Sequence, residues 1–132
     1  TDKDLFQKEI HKAVVETVCA FAEYRQVYMM RPIPELKVDV RAVMGKARAI
    51  FGETRRVSVS YEEYLQRTEL VRKAQDEAVQ KCGVKLLDPT PYLCSDGRCW
   101  GDVDGKPIYV DDDHLSLRGS DLLVPEFRKI FE

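Results

Sequence analysis

The residues best suited to chemistry in this chain are an aspartate and a histidine three positions apart, Asp111 and His114. A carboxylate at this spacing can accept a hydrogen bond from the imidazole and hold it in one tautomer, which is how a general base is prepared. The pair lies between a predicted strand that ends near Tyr109 and a predicted helix that Ser116 caps. A base needs a nucleophile to act on, and no serine motif suited to that role occurs upstream.

Asp111, Asp112 and Asp113 form an acidic run whose charges repel one another, so a cation, backbone N–H groups or His114 must satisfy some of them. On the residues alone, three interpretations stay open. The run is a solvated, negatively charged helix entrance, a calcium or magnesium site, or the source of an Asp–His pair for acid/base catalysis. Consecutive aspartates lack the alternating spacing of calcium loops, which weakens the metal interpretation.

The composition is that of one globular domain. The chain has 132 residues, of which 44% are hydrophobic and 33% are charged, so it can bury a modest core. A net charge of -2 gives no basic surface for nucleic acid, which we therefore do not expect as a partner. No stretch approaches the roughly 20 apolar residues of a membrane span, and the N-terminus lacks a signal-peptide pattern, so we expect the chain itself to be soluble.

Hydrophobic periodicity predicts an α/β organisation for the first two thirds of the chain. The predicted elements are a helix from Asp4 to about Arg25, a strand Val27–Met30, a helix from Asp39 to Phe51, a long helix Tyr61–Cys82, and a strand Val84–Asp88. Ser60 and Glu63 form a capping box for the long helix, and Gly83 ends it. Because helices connect the two strands, we expect the strands to pair in parallel.

After Pro89 the pattern changes to short elements. A hairpin of Cys99–Val103 with Pro107–Val110 is predicted around the turn Asp104-Gly105. Its second strand leads into the acidic run. A final helix follows Ser116, and Pro125 is expected to kink it.

The four cysteines fall into two kinds. Cys94 and Cys99 bracket a polar turn, and we expect a disulfide there, which would stabilise the fold by about 2 kcal/mol and indicate an oxidising compartment. The alternative is two reduced thiols in a loop. Cys19 and Cys82 lie inside helical patterns and are interpreted as buried thiols. We expect no metal, since no second Cys/His pair stands at a zinc-site spacing.

Four other residues are candidates for binding. His11 lies among charged residues of the first helix and is expected to be exposed to solvent. Trp100 and Tyr109, on the predicted hairpin, could stack on a sugar or simply pack. Arg31, beside two prolines at a strand end, could meet an anionic group or form a salt bridge to a loop acid.

The block Asp111-x-x-His114-Leu115-Ser116-x-x-Gly119 resembles the last motif of the SGNH hydrolases, the GDSL-like serine esterases and acyltransferases. The resemblance extends over nearly the whole chain, to one branch of that family. That branch comprises SGNH domains attached to membrane acyltransferases of family three, which O-acetylate bacterial surface polysaccharides. The other segments that carry it are Arg31-Pro32-Ile33-Pro34-Glu35-Leu36, Leu87-Asp88-Pro89, Leu93-Cys94 through Cys99, and Gly105-Lys106-Pro107-Ile108-Tyr109.

The resemblance implies a partial three-layer α/β/α, flavodoxin-like domain with parallel strands, followed by a C-terminal hairpin and helix. Residues 1–132 would be the C-terminal portion of a single SGNH-type domain, with the N-terminal half of the sheet missing. His114 would be the general base and Asp111 its orienting carboxylate, whereas Asp112 and Asp113 would be helix-entrance acids, although spacing leaves Asp112 open as a substitute for Asp111. The family's Gly-Asp-Ser-like nucleophile block is absent, and the chain contains no asparagine to serve as oxyanion donor.

The implied function is that of a serine-dependent acyltransferase or esterase acting on O-acetyl groups of cell-surface polysaccharide, without a cofactor. The expected partners are an acyl donor or acyl-bearing glycan, the missing half of the domain, and a membrane acyltransferase domain. The expected location is the periplasmic face of the bacterial inner membrane. We expect the fragment to self-associate through its open sheet edge and apolar helix faces. A non-catalytic carbohydrate-binding or protein-interaction module is the alternative.

Overall fold

The computed structural model describes all 132 residues, and the chain folds into two compact units. The first unit comprises Thr1–Pro32 and Gln66–Asp88, and the second comprises Ile33–Leu65 and Pro89–Glu132. The elements, in chain order, are α1 (Asp2–Ala22), β1 (Tyr28–Met30), α2 (Val40–Phe51), β2 (Ser58–Ser60), α3 (Tyr61–Arg67), α4 (Glu69–Cys82), β3 (Lys85–Leu87), α5 (Thr90–Leu93), β4 (Cys94–Ser95), β5 (Arg98–Trp100), β6 (Asp102–Val103), β7 (Lys106–Pro107), α6 (Leu117–Leu122), α7 (Val124–Phe127) and a 3-10 helix (Arg128–Phe131).

The first unit is a pair of helices, α1 and α4, with a two-stranded parallel sheet of β1 and β3. Tyr28 lies opposite Lys85 and Met30 opposite Leu87, which confirms the predicted parallel pairing. The strands are one or two residues shorter than predicted. None of the helices has the length and hydrophobicity that a membrane span requires.

Cys19 and Cys82 form a disulfide between α1 and α4, so their interpretation as buried thiols was wrong. Each cysteine lies on the helix face that packs on the other helix, a position that apolar residues and half-cystines share. The pattern of apolar residues therefore does not distinguish a packed thiol from a cross-link. The bond closes a sequence separation of 63 residues.

The predicted long helix Tyr61–Cys82 is divided at Thr68, which separates α3 from α4 with φ of -103° and ψ of 4°. Threonine is β-branched, and its hydroxyl competes for nearby hydrogen bonds, so it is a favourable place for a helix to break. Here the Thr68 hydroxyl accepts a hydrogen bond from Nε of Arg72. The helix start was predicted correctly, because the Ser60 hydroxyl accepts the backbone N–H of Glu63.

The second unit contains the antiparallel sheet β2-β5-β4 and the separate hairpin β6-β7. The predicted hairpin was partly wrong, because β5 pairs with β2 and β4, and only Asp102–Val103 pairs with Lys106–Pro107. The reason is a second tight turn at Asp96-Gly97, where both residues have positive φ, which gives β5 a partner of its own. Cys94 and Cys99 lie opposite each other in that hairpin and form the predicted disulfide.

Buried side chains of α2, β2, α3 and the segment around Ile108 form the core of the second unit. Its members are Leu36, Val40, Met44, Val57, Val59, Tyr64, Leu93, Cys99, Ile108, Tyr109 and Leu123. Asp39 caps α2 through the backbone N–H of Ala42, and Gly52 ends it with a φ of 63°, as predicted. The C-terminal helix is interrupted at Leu123, just before Pro125, and continues as α7.

Candidate active site

The aspartate and histidine singled out from the sequence lie in one closed loop of the second unit, Tyr109–Ser116, which we call the His114 loop. Tyr109 and Leu115 form an antiparallel bridge across its base. Val110 donates its backbone N–H to the carbonyl of His114 at 2.8 Å, and Ser116 donates to Ile108, also at 2.8 Å. These bonds close the loop on itself, so its side chains project from a constrained backbone.

A second set of hydrogen bonds fixes the back of the His114 loop to the segment that leads into α2. The backbone N–H of Leu36 donates to the carbonyl of Asp112 at 2.7 Å, and that of Val40 donates to Asp111 at 3.1 Å. Tyr109 is fully buried and donates its hydroxyl to the carbonyl of Pro34 at 2.6 Å. Burial raises the pKa of the Tyr109 phenol, so it stays a neutral donor.

The residues after His114 explain why serine and glycine stand at their positions in the motif. The Ser116 hydroxyl accepts the backbone N–H of Gly119 at 3.1 Å and so caps α6. A Cβ atom on Gly119 would lie 2.2 Å from the carbonyl oxygen of Ile108, so only glycine fits without a shift of the backbone. Ser116 and Gly119 thus position α6 directly against the base of the His114 loop.

The Asp111 carboxylate is held by three donors. Its Oδ1 accepts the backbone N–H groups of Asp113 at 2.9 Å and of His114 at 2.7 Å, and its Oδ2 lies 2.8 Å from Nδ1 of His114. The two backbone hydrogen bonds, with the imidazole, lower the pKa of Asp111 to about 2. Asp111 is therefore ionised at neutral pH and held in place for hydrogen bonding to His114.

The His114 imidazole is bound on one nitrogen and open on the other. Its hydrogen bond to Asp111 and the charges of Asp111 and Asp113 raise its pKa. The side chain is 73% exposed, and Nε2 has no hydrogen-bond partner in the chain. With Nδ1 donating to Asp111, Nε2 presents its lone pair outward, which is the state a general base requires.

Asp113 also reaches the imidazole, which the sequence interpretation of Asp113 as a helix-entrance acid missed. Its Oδ1 lies 2.8 Å from Nδ1 of His114, and its own pKa is raised, first by burial. Asp112 is exposed and holds the loop through its carbonyl instead. The missed signal is the turn made by Asp111, which folds the backbone so that the residue two positions later faces the same imidazole.

One ligand atom each from Asp111, Asp113 and His114 lies within 4.8 Å of the others, a spacing that a cation could bridge. Nothing else in the loop favours a metal. Both oxygens of Asp111 already accept hydrogen bonds, and Asp113 and His114 are exposed to water. A cation would therefore compete with existing bonds rather than fill an unsatisfied site.

The remaining candidates take structural positions. His11 is only 29% exposed and contacts Glu77 through Nε2, so the expectation of a solvent-exposed side chain was wrong. Arg31 forms a salt bridge to Asp76 at 2.5 Å, an acid on α4 rather than in a loop. Tyr109 is buried and packs, whereas Trp100 carries the Arg56 guanidinium 3.7 Å above its ring, which covers one face against a sugar.

The parallel strand pair and the late Asp-x-x-His loop are the features on which the likeness of this chain to SGNH domains rests. The chain belongs to the family of SGNH domains fused to AT3 domains, which it matches over residues 1–129. No curated protein matches the sequence closely enough to count as a relative.

A solved structure has a similar fold: the periplasmic domain of the lipopolysaccharide acetyltransferase of Salmonella ser. Paratyphi A. The two share 21% sequence identity with a TM-score of 0.67, over 96% of this chain and 51% of that chain. The chain thus spans about half the length of that domain, and the predicted partial SGNH-type α/β fold is confirmed.

Proposed function

We propose that this chain supplies the general base and its orienting carboxylate to a serine-dependent O-acyltransferase or esterase that acts on O-acetyl groups of cell-surface polysaccharide. The observation that carries the proposal is the His114 imidazole, bound to Asp111 through Nδ1 and open at Nε2. Membership of the AT3-fused SGNH family supports it, as does the likeness to a domain described as part of a lipopolysaccharide acetyltransferase.

In this mechanism Nε2 of His114 takes the proton of a serine hydroxyl as the serine oxygen attacks the ester carbonyl. Asp111 stabilises the imidazolium that forms, and His114 then gives the proton to the leaving alcohol. Water or a sugar hydroxyl next attacks the acyl-serine, with His114 again acting as base. The serine and the oxyanion donors would come from residues outside this chain, because it has neither a Gly-Asp-Ser block nor an asparagine.

The proposed location is the periplasmic side of a membrane, and the proposed partners are a membrane acyltransferase domain and the other half of the SGNH domain. Two disulfides fit an oxidising compartment. Apolar side chains on and after α1 are exposed, Phe6 to 62%, Phe21 to 61% and Tyr24 to 84%. An apolar surface of this kind is a reason to expect association with the rest of the domain or, in its absence, with a second copy.

The test is ester turnover by the complete protein that carries this segment, compared with its variants H114A and H11A. We expect H114A to lose about 10³-fold or more of the activity, as for removal of a member of a catalytic triad. H11A changes the other histidine and is expected to retain activity. The isolated chain should be inert. Equal turnover by H114A and the unchanged protein would overturn the proposal.

A further inference from the structure

A small pocket of the second unit lies on the exposed side of α2, lined by residues that the proposed chemistry does not use. Its volume is about 140 Å³. Arg41, Gly45 and Arg48 stand four and three positions apart, so they share one face of the helix. The other lining residues are Met44, Glu53, Thr54, Gly105 and Pro107.

The pocket carries unbalanced positive charge. Neither the Arg41 side chain nor the Arg48 side chain forms a hydrogen bond or salt bridge within the chain, and both residues are exposed. The one acid in the lining, Glu53, already accepts a hydrogen bond from Arg55 at 2.9 Å. The two guanidinium groups are therefore available to an anion, and arginine binds carboxylates and phosphates through paired N–H donors.

Gly45 is unexpected in the middle of a helix, where glycine is less favourable than alanine. A Cβ atom built on Gly45 would meet nothing within 4 Å, so protein packing does not require the glycine. Gly45 lies between the two arginines on this face of α2 and is exposed, so its missing side chain leaves the helix backbone uncovered there. A ligand could therefore approach the helix backbone at Gly45, whereas a longer side chain at this position would block it.

We propose that Arg41, Gly45 and Arg48 form a binding site for the carboxylate or phosphate group of an acidic sugar. The choice of a sugar as the ligand rests on the proposed function. The preference for a carboxylate or phosphate group rests on the two arginines. The volume is small beside the roughly 300–1,000 Å³ of pockets that enclose whole ligands. The site therefore fits a charged substituent, with the rest of the glycan outside, and would select acidic glycans as acyl acceptors.

The test is a heteronuclear NMR titration of the 132-residue chain with glucuronate, glucose 1-phosphate, glucose and inorganic phosphate. We expect at least one charged sugar, but not glucose, to shift the amide signals of Arg41, Gly45 and Arg48. R41Q and R48Q should each weaken that binding about tenfold. K46Q removes the same charge from another face of α2 and should change binding little. Equal shifts with glucose, or binding of inorganic phosphate alone, would overturn the proposal.

G45A separates a ligand site from a purely structural role. Because alanine is the better helix former, the variant should melt about 2–4 °C higher. If the glycine keeps the site open, the same variant should bind the charged sugar about tenfold more weakly. A more stable G45A with unchanged binding would contradict the inference. The titration needs no turnover, so failure of sugar binding leaves the His114 proposal standing, and an active H114A leaves the site standing.

Discussion

Each of the two units contains one disulfide and one contact between a histidine and a carboxylate, but these two features have different roles in the two units. In the first unit His11 contacts Glu77, and Cys19 is bonded to Cys82, so both the contact and the disulfide join α1 to α4. In the second unit both the contact and the disulfide join residues that are close in the sequence. His114 pairs with an aspartate three residues away, and Cys94 pairs with Cys99 inside one hairpin.

The difference between the histidines lies in which nitrogen is bound. His11 uses Nε2 for Glu77, and Glu77 is shared with Lys81, whose ammonium lowers the pKa of that carboxylate more than His11 does. His114 uses Nδ1, while backbone N–H groups fix its aspartate and leave Nε2 open. An acid near a histidine is therefore not by itself an indication of catalysis. The outward nitrogen and the anchored carboxylate distinguish the two sites.

The disulfides provide the largest expected effect on stability. In the chain-entropy model the stabilisation grows with the length of the closed loop. The Cys19–Cys82 bond, with a separation of 63, should therefore contribute about 4 kcal/mol, and the Cys94–Cys99 bond, with a separation of 5, about 2 kcal/mol. Urea denaturation of C19A/C82A and of C94A/C99A measures both. A larger loss from C94A/C99A would reverse the assignment of long-range and local roles.

Local signals in the sequence predicted most of the elements and the parallel pairing of β1 with β3, but they did not predict the disulfide between α1 and α4. The cap at Asp39, the stop at Gly52 and the apolar runs of β1 and β3 act within a few residues, and each matched the structure closely. The Cys19–Cys82 bond depends on how two helices pack, which no spacing encodes.

At the candidate site, the Asp111–His114 spacing was readable from the sequence because the contact is local. The contact of Asp113 with the same imidazole depends on the turn that Asp111 caps. The backbone hydrogen bonds that Leu36 and Val40 donate to the His114 loop come from a segment about 70 residues earlier along the chain. Such contacts become visible only when the backbone is known.

A smaller loss of stability is expected from a substitution at Gly119, where α6 approaches the His114 loop closely. G119A places a methyl group against the Ile108 carbonyl, so we expect a loss of about 1–3 kcal/mol in stability. Signals of the His114 loop should shift as well, because Ile108 also accepts the Ser116 N–H at its base. Thermal denaturation and amide spectra measure both effects. A variant with unchanged stability and unchanged loop signals would show that Gly119 does not constrain the site.

The smallest expected effect, and the most direct comparison of the two histidines, is on the pKa of His114. D111N removes the hydrogen-bonding charge that raises this pKa, so the value should fall toward 6.5. D113N removes a weaker contribution and should lower it less. The Cε1–H signal of His114 reports its titration in an NMR spectrum, and the signal of His11, whose partner is Glu77, should not respond to either substitution.

The sign of the pH dependence follows from the direction of the shift. The folded chain holds the His114 proton more tightly than the unfolded chain, so this pair stabilises the fold below the unfolded pKa and loses that contribution as pH rises through the folded value. Base catalysis needs the neutral imidazole, so activity should rise over the same interval. D111N should move the rise in activity to lower pH, remove most of the pH-dependent stabilisation by this pair, and reduce turnover. If D113N lowers the His114 pKa more than D111N does, then Asp113 rather than Asp111 is the dominant partner of His114.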